Sequence, residues 1–230
     1  MTSAGPVDKR VPWREMPSPT ARAIHREAMD LFYARGYEAT TLRQIADAVG
    51  ITVGSLYNHI SSKQELLVNL MTSMMDLLLG EIDDALDGLS DPLARVHAFM
   101  HQSILVHGSH REETFVGNNE LRSLDDDKRQ DMVAMRDRYE MRLRSALEAA
   151  VAAGSCTVAD VQMTTFAGLA ICTHVATWYE PGGRLTLDEI ADMLCATYAP
   201  LALADRTDQV VPTTPMTRIK PTAGSARSTR

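Results

Sequence analysis

The chain has 230 residues, of which 45% are hydrophobic and 23% are charged, and its formal net charge is −7. These proportions are ordinary for a soluble protein with one large or two small domains. The longest apolar run, over residues 66–79, is interrupted by polar side chains and is too short to span a bilayer, and no signal peptide is recognisable. We therefore expect a soluble, cytoplasmic protein with no membrane partner.

Charge and cysteine usage narrow the class of protein further. Residues 1–68 carry 8 basic and 7 acidic side chains, residues 69–203 carry 10 and 21, and residues 204–230 carry 5 and 2. The acidic charge therefore belongs to the middle of the chain, which suits a modular regulator. Three widely spaced cysteines without a CxxC motif argue against a disulfide framework and a structural zinc site, so we expect three free thiols: Cys156, Cys172 and Cys195. We also expect no metal site and no cofactor.

Both ends of the chain are predicted to lack fixed structure. Residues 1–19 contain four prolines and three basic residues without an apolar period, which indicates a flexible basic arm. Residues 205–230 contain further prolines in a Ser/Thr/Arg-rich stretch, which indicates a disordered tail. Between the two ends we predict one domain over residues 20–68 and a larger one over residues 69–204.

The first three predicted helices are short and clearly bounded. Residues 21–35 repeat apolar side chains on one helical face. Thr41 caps a second helix that stops at Gly50, and Thr52 caps a third helix through about His59.

The rest of the chain predicts longer helices and no strand. Ser62 caps a fourth helix with Glu65 as its capping-box partner, and Pro92 opens a fifth helix after Ser90 or Asp91. Three further helices are predicted over residues 125–153, 158–179 and 186–200. The expected fold class is all-α, with about nine helices divided between a small N-terminal and a larger C-terminal domain.

Residues 40–66 have the pattern of a helix-turn-helix. Two short helices meet at a turn around Gly50, and the small side chain of Ala46 lets them approach closely. The buried side is formed by Ile45, Val49, Ile51 and Leu56. A plain helical hairpin has the same pattern, so the functional prediction depends on the outward-facing residues.

The outward side of the third predicted helix is small and polar. Small residues let the backbone approach the major groove of DNA, where hydroxyl, amide and ring-nitrogen atoms can contact phosphates or base edges. The ammonium of Lys63 and the N-terminus of the fourth helix can share one phosphate. The outward-facing candidates on the third helix are Thr52, Gly54, Ser55, Tyr57, Asn58 and His59.

A known family shares this arrangement of residues. The motifs are Phe32-Tyr33-Ala34-Arg35-Gly36-Tyr37, Thr40-Thr41, Ile45-Ala46, Gly50, Gly54-Ser55-Leu56-Tyr57-Asn58-His59 and Lys63 with Glu65-Leu66-Leu67. Over roughly residues 20–70 the chain closely resembles the N-terminal domain of TetR-family repressors. In that family the third helix reads a double-stranded DNA operator, so the resemblance implies phosphate or base contacts for Thr41, Arg43, Tyr57, His59 and Lys63.

The resemblance also implies a second, larger helical domain that holds a ligand cavity. The middle of the chain is rich in methionine, which tolerates a cavity but is equally typical of an ordinary core. We expect a small-molecule effector, and the candidate ligand-binding residues are Phe99, Met100, Asn118, Asn119, Tyr139, Thr173 and Trp178.

TetR-like chains pair as homodimers through their last two long helices. The predicted helix over residues 158–179 is apolar nearly all round, as is typical of a helix buried in a core or at a subunit interface. A dimer also suits a two-fold operator. The candidate interface residues are Phe166, Ala170, Thr177, Trp178, Tyr179, Met193 and Tyr198.

Two C-terminal segments resemble one branch of the family. They are Arg136-Asp137-Arg138-Tyr139-Glu140 and Trp178-Tyr179 with Pro181-Gly182-Gly183-Arg184-Leu185-Thr186. They are similar to regulators of lipid, fatty-acid or sterol breakdown, several of which respond to acyl-CoA thioesters. The resemblance implies a repressor that a small hydrophobic or acyl ligand releases from a palindromic operator, with acyl-CoA thioesters among the candidate ligands.

Alternative functions of the same fold are an activator and a metal- or redox-responsive regulator. His97 and His101 are four residues apart, a spacing that can chelate a metal, although polar histidines near a helix end are the more ordinary interpretation. His107 and His110 follow near the predicted helix end. Motifs of hydrolases, zinc proteases and phosphate-binding loops are absent from the sequence, so we do not expect an enzyme.

Overall fold

The computed structural model describes residues 12–203, with side chains as far as residue 198, and these residues form nine α-helices, two 3-10 turns and no strand. The helices are α1 (Pro19–Arg35), α2 (Leu42–Val49), α3 (Val53–Leu56), α4 (Lys63–Leu86), α5 (Pro92–Ser109), α6 (Arg111–Asn119), α7 (Asp126–Ala152), α8 (Val161–Trp178) and α9 (Leu187–Leu203). The predicted all-α fold class is confirmed for this part of the chain. Among these helices, none is both long and apolar enough to cross a membrane.

Side-chain caps begin most helices where the sequence predicts them. Thr41 forms a capping box with Gln44 at the start of α2, and Thr186 exchanges the same pair of hydrogen bonds with Glu189 before α9. Asp91, rather than Ser90, caps α5 by accepting from the Ala94 N–H. Each such cap contributes about 1 kcal/mol by satisfying an orphan backbone donor.

The capping box predicted for α4 is shifted by one residue. The Ser62 hydroxyl accepts from the Glu65 N–H at 3.0 Å, as expected. The Glu65 carboxylate, however, accepts from the backbone and side chain of Ser61. Hydrogen bonding to Ser61 lowers the pKa of Glu65.

Helices α1 to α3 form the small N-terminal domain. Its core contains Ile24, Phe32, Ile45 and Leu56, each at most 1% exposed. At Gly50 the backbone takes the left-handed conformation that ends α2, and the Ile51 N–H bonds to the Ala46 carbonyl at 2.9 Å.

The larger domain is built around α5, which packs against α4, α7, α8 and α9. Its inward face includes Phe99, Met100 and Ile104, all almost fully buried. The last helix, predicted to end near Pro200, continues to Leu203. The predicted disordered tail, residues 205–230, lies outside the described residues.

The N-terminal segment differs from its prediction. Residues 1–11 of the predicted flexible arm lie outside the described residues, but residues 12–18 form a strap that begins with a 3-10 turn, Pro12–Glu15, packed on α1 and α4, and ends at Ser18, the cap of α1. The Trp13 ring is buried and stacks on His25, and Arg14 pairs with the buried carboxylate of Glu113 in α6. Residues 12–18 are therefore not a flexible arm, because a buried aromatic ring and an ion pair hold them.

The close packing of α8 gives a stability prediction. A Cβ at Gly168 would lie 2.9 Å from Leu143 Cδ2 and 3.0 Å from Tyr198 Cζ. We expect Gly168→Ala to lower the free energy of unfolding by about 1–2 kcal/mol through overpacking. In the matched control Gly80→Ala the new methyl group meets nothing within 4 Å, so the helix preference for alanine should raise stability by up to about 1 kcal/mol. Urea unfolding of both variants checks this, and equal stabilities would contradict the close packing.

Candidate DNA-binding surface and central cavity

The helix-turn-helix places most predicted DNA-binding residues at the surface. The seven exposed residues are Thr41, Arg43, Thr52, Gly54, Tyr57, Asn58 and His59, while Ser55 and Lys63 are half-buried. Tyr57 is 54% exposed. The surface is rich in neutral hydrogen-bonding groups, and Arg43 is an exposed cation within it.

The segment predicted to contact DNA, residues 52–60, is one turn of α-helix (α3) followed by hydrogen-bonded turns. Thr52 caps α3 by accepting from the Ser55 N–H at 3.1 Å. The His59 and Ile60 N–H groups both bond to the Leu56 carbonyl, at 2.9 and 3.2 Å. The helical path therefore extends past α3 and presents Tyr57 and Asn58 on the turn that follows it.

Lys63 makes contacts within the protein that sequence reasoning did not foresee. Its ammonium donates to the carbonyls of Tyr37 and Thr40, at 2.8 and 2.9 Å, and lies 3.9 Å from the centre of the Tyr37 ring. Two of its three donors are thus directed to the turn between α1 and α2. Such contacts clamp that turn to the start of α4.

The same turn, residues 36–40, contacts the larger domain. The Tyr37 N–H donates to Glu120 Oε1 at 3.1 Å, and its hydroxyl donates to Gln64 Oε1 at 3.0 Å. Glu120 is the last-turn cap of α6 and also accepts from the Ser123 hydroxyl. A direct hydrogen bond therefore joins the end of α6 to the turn that precedes the helix-turn-helix.

A central cavity of about 270 Å³ lies among α4, α5, α6, α7 and α8. Three of the predicted ligand-binding residues line it: Asn118, Tyr139 and Thr173. One part of the wall is apolar and includes Met71, Met74 and Met132. The polar part includes His107, Thr114 and Arg136. This mixed wall suits an amphipathic small molecule.

Four predicted ligand-binding residues are absent from the cavity wall. Phe99 lies in the core and stacks on Tyr139 with ring centres 5.1 Å apart. Met100 is also in the core, with its sulfur 3.5 Å from Cys172 Sγ. Asn119 is exposed and donates to the Phe115 carbonyl, and Trp178 is 48% exposed at the end of α8. The helical period of the sequence predicts which side chains face the core, but not which of them border an empty space.

His107 and Arg136 are cavity residues that sequence reasoning did not select. The His107 ring lies 3.2 Å from Thr114 Oγ1 and 3.4 Å from the Tyr139 hydroxyl. Burial, and secondly the charge of His110, lower the pKa of His107 to about 4, so the ring is neutral near pH 7. Burial likewise raises the pKa of Tyr139. The sequence could have indicated both residues, because each is a polar side chain next to buried core positions of its helix.

The structure places the predicted dimer-interface residues in three different locations. An exposed stripe on α8 and α9 contains Phe166, Ala170, Thr177, Trp178 and Met193. Tyr179 is half-buried and lines a separate groove next to α6. Tyr198 is 1% exposed inside the subunit and donates to the Thr164 carbonyl, so its predicted place at an interface is wrong. Ala170 belongs to both the stripe and the cavity wall.

Within residues 12–203, neither the histidines nor the cysteines form a site that suits a metal or redox sensor. His101 lies 3.3 Å from the Asp192 carboxylate and stacks on His97, but no group of three or more possible ligands is placed to hold a metal ion. All three cysteines are buried, and burial raises the pKa of Cys195 to about 12. A high thiol pKa disfavours the reactive thiolate.

Family comparisons agree with this geometry. The family model described as "Bacterial regulatory proteins, tetR family" matches residues 24–70, and the model described as "Tetracyclin repressor-like, C-terminal domain" matches residues 89–199. The transcriptional repressor KstR2 of Rhodococcus jostii is 31% identical over 167 residues, which cover 71% of this chain and 81% of that protein. KstR2 of Mycolicibacterium smegmatis is 29% identical over 172 residues, which cover 74% and 83%.

The chain belongs to the TetR family of transcriptional regulators. It is therefore a DNA-binding regulator and not an enzyme. Solved structures agree: this TetR-family chain matches the ketosteroid regulator KstR2 of Mycobacterium tuberculosis with a TM-score of 0.77 at 24% identity, covering 85% of this chain and 100% of that one. It matches AibR, solved with isovaleryl coenzyme A and operator DNA, with a TM-score of 0.70 at 30% identity, covering 76% and 96%.

Proposed function

We propose that this regulator is a homodimeric repressor that acts in the cytoplasm on a palindromic operator and is released by a small amphipathic ligand in the central cavity. The observation that carries the proposal is the position of α6. Its residues Gly117 and Asn118 line the cavity, and its cap Glu120 bonds to Tyr37 next to the helix-turn-helix.

The coupling follows from differential binding to two conformations. A ligand shifts an equilibrium only if it binds one conformation more tightly than the other. A ligand that moves the last turn of α6 changes the Glu120–Tyr37 contact, and the 36–40 turn carries that change to Thr41, the cap of α2. The reading elements of the two subunits then lose the spacing of about 34 Å that successive major grooves require.

The exposed stripe of α8 and α9 supports the proposed dimer. Phe166, Trp178 and Met193 are each more than 40% exposed, although they are large and apolar. An apolar patch of this kind is typical of a subunit interface. Pairing through α8 would place two DNA-binding domains in one two-fold assembly.

The relatives support a lipid-derived or acyl ligand. The matching structures include a ketosteroid regulator and a regulator in complex with isovaleryl coenzyme A. The methionine-rich part of the cavity in this chain is suited to an apolar body of that kind, because methionine adapts to irregular shapes. The proposed ligand is therefore a lipid-derived or acyl compound, either free or as a coenzyme A thioester.

The experiment is an electrophoretic shift with DNA upstream of the regulator's own gene. Arg43→Ala should weaken binding about tenfold and reduce the slope of log affinity against log salt by about 1 per subunit, because one phosphate contact is lost. Arg138→Ala is the matched control, since it removes the same charge from an exposed position on α7. It should leave both quantities unchanged.

Binding that resists competitor DNA and depends on Arg43 would support the proposal. A dimer that shifts neither this DNA nor the neighbouring intergenic regions would refute repression at the tested sites. An equal loss in Arg43→Ala and Arg138→Ala would show that only overall charge matters.

A further inference from the structure

Arg136 is a cation in the wall of the central cavity with an unusual set of contacts. Its guanidinium is partly buried and donates to the backbone carbonyl of Gly117 in α6. Among residues 12–198, none of the ion pairs involves Arg136: the nearby Glu113 and Glu140 pair with Arg14 and Arg144. Burial lowers the pKa of Arg136, as expected for a charge that lacks compensation.

The acidic residues around the cavity are engaged elsewhere or exposed. The Glu113 carboxylate pairs with Arg14 of the strap, and Glu140 pairs with Arg144 at 3.3 Å. Asp137, the neighbour of Arg136, is exposed. An arginine donates through five N–H groups, so the single carbonyl of Gly117 leaves most of its capacity available.

We propose that Arg136 binds an anionic head group of the effector, a carboxylate or a phosphate, while the apolar body lies against Met71, Met74 and Met132. This inference rests on the proposed function, since it concerns the ligand of the same cavity. Arginine is suited to the role because its planar fork binds carboxylate and phosphate through paired hydrogen bonds.

The bound anion would also act on α6. A charged oxygen is a stronger acceptor than a backbone carbonyl, so it draws the guanidinium away from Gly117. Gly117 lies three residues before Glu120, which holds the Tyr37 N–H. Head-group binding thereby loosens the last turn of α6 at the point where it contacts the DNA-binding domain.

The size of the cavity distinguishes two sources of the anion. At about 270 Å³ the cavity lies at the lower end of the range for ligand pockets, which suits a medium-chain acid. A coenzyme A thioester would have to leave its nucleotide part outside and present a phosphate at the cavity mouth. Octanoate and octanoyl-CoA are therefore separate probes of the same head-group chemistry.

Calorimetric titration of the full chain, without DNA, tests the inference. Octanoate, 1-octanol and octanoyl-CoA are titrated into the wild type, Arg136→Met, Arg136→Lys and the matched control Arg138→Met. We expect the wild type to bind at least one of the two anionic probes roughly 10–100-fold more tightly than 1-octanol. Arg136→Met should lose that preference, Arg136→Lys should keep part of it, and Arg138→Met should keep all of it.

The outcomes separate this inference from the proposed function. A preference for octanoate or for octanoyl-CoA that depends on Arg136 supports the inference and identifies the source of the anion. Equal binding of all three probes, no binding of any of them, or an equal loss in Arg138→Met overturns it. If Arg136→Met does not fold, Arg136→Lys decides, because lysine keeps the charge but not the paired geometry. A preference for the anion that is weaker than in the wild type then supports the inference, and an unchanged preference overturns it. If the electrophoretic shift with operator DNA fails, only the proposed function is refuted, because the titration contains no DNA.

Discussion

Replacing Lys63 with methionine should lower the free energy of unfolding by about 2–3 kcal/mol. The substitution removes two charge-assisted hydrogen bonds, to the Tyr37 and Thr40 carbonyls, and a cation–π contact with the Tyr37 ring. Methionine keeps the apolar stem, so the loss reports the ammonium itself. Chemical denaturation of the purified variant measures it, and DNA affinity measured in parallel should fall because the turn before α2 is released.

The phosphate role predicted from the sequence makes a different forecast for the same variant. If Lys63 contacted only DNA, its replacement would reduce DNA affinity and the salt slope without changing the free energy of unfolding. Lys128→Met, at an exposed position on α7, is the charge-matched control and should leave unfolding within about 0.5 kcal/mol of the wild type. An unfolding free energy in Lys63→Met as high as in this control would rule out the clamp.

Acidification from pH 6.5 to pH 4 should destabilise the protein by about 3 kcal/mol through His107 alone. Burial lowers the pKa of this ring from 6.5 to about 4 in the folded state, whereas the unfolded chain keeps the ordinary value. Between these two values the unfolded state binds the extra proton, so stability is full above pH 6.5 and is lost as the pH falls towards 4. His107→Gln should lack this part of the acid loss, whatever its stability at pH 7.

Urea unfolding at pH 7, 6, 5 and 4 checks the effect of His107. His59→Gln, which alters an exposed histidine in the DNA-binding domain, serves as the control and should follow the wild-type pH dependence. Parallel curves for the wild type and His107→Gln across this range would mean that the ring accepts a proton in the folded state as readily as in water.

The helix-turn-helix could be predicted from the sequence because its signals are local. A cap such as Thr41 or Thr52 acts on a backbone N–H three residues away, and Gly50 ends a helix through its own backbone angles. These effects depend on neighbours in the chain, so a pattern of single residues specifies them. The family resemblance rests on the same stretch.

The contacts that join the domains could not be predicted, because their partners are distant in the chain. Arg14 pairs with a carboxylate 99 residues away, and Tyr37 bonds to a residue 83 positions further on. The composition of the first 19 residues suggests disorder, yet Trp13 is buried against α1, where its ring stacks on His25. This contact exists only once α1 and α4 have packed together. The error at Tyr198 has the same origin, since an apolar helix face does not reveal whether its neighbour is another helix or another subunit.

The cavity was the least predictable part of the site. The methionines that line it were recognised as a group, but an empty space depends on how five helices meet. Arg136 lies in a segment that resembles one branch of the family, and in the sequence its charge cannot be told from that of an exposed helix residue. Its position in the cavity wall, beside the Gly117 carbonyl, depends on how α6 and α7 pack together.

The chain contains two tryptophans, and the fold gives them separate surroundings. Trp13 is enclosed beneath α1, stacked on His25 and next to the arginine that pairs with α6. Trp178 stands half-exposed at the end of α8, on the stripe proposed to join two subunits. Unlabelled protein therefore carries two tryptophan fluorophores, one at the junction between the domains and one on the stripe proposed to join two subunits. With Trp178→Phe the remaining tryptophan emission would report the strap, and with Trp13→Phe it would report dilution of the proposed dimer, so the proposed ligand response and the proposed assembly can be tested optically in separate samples.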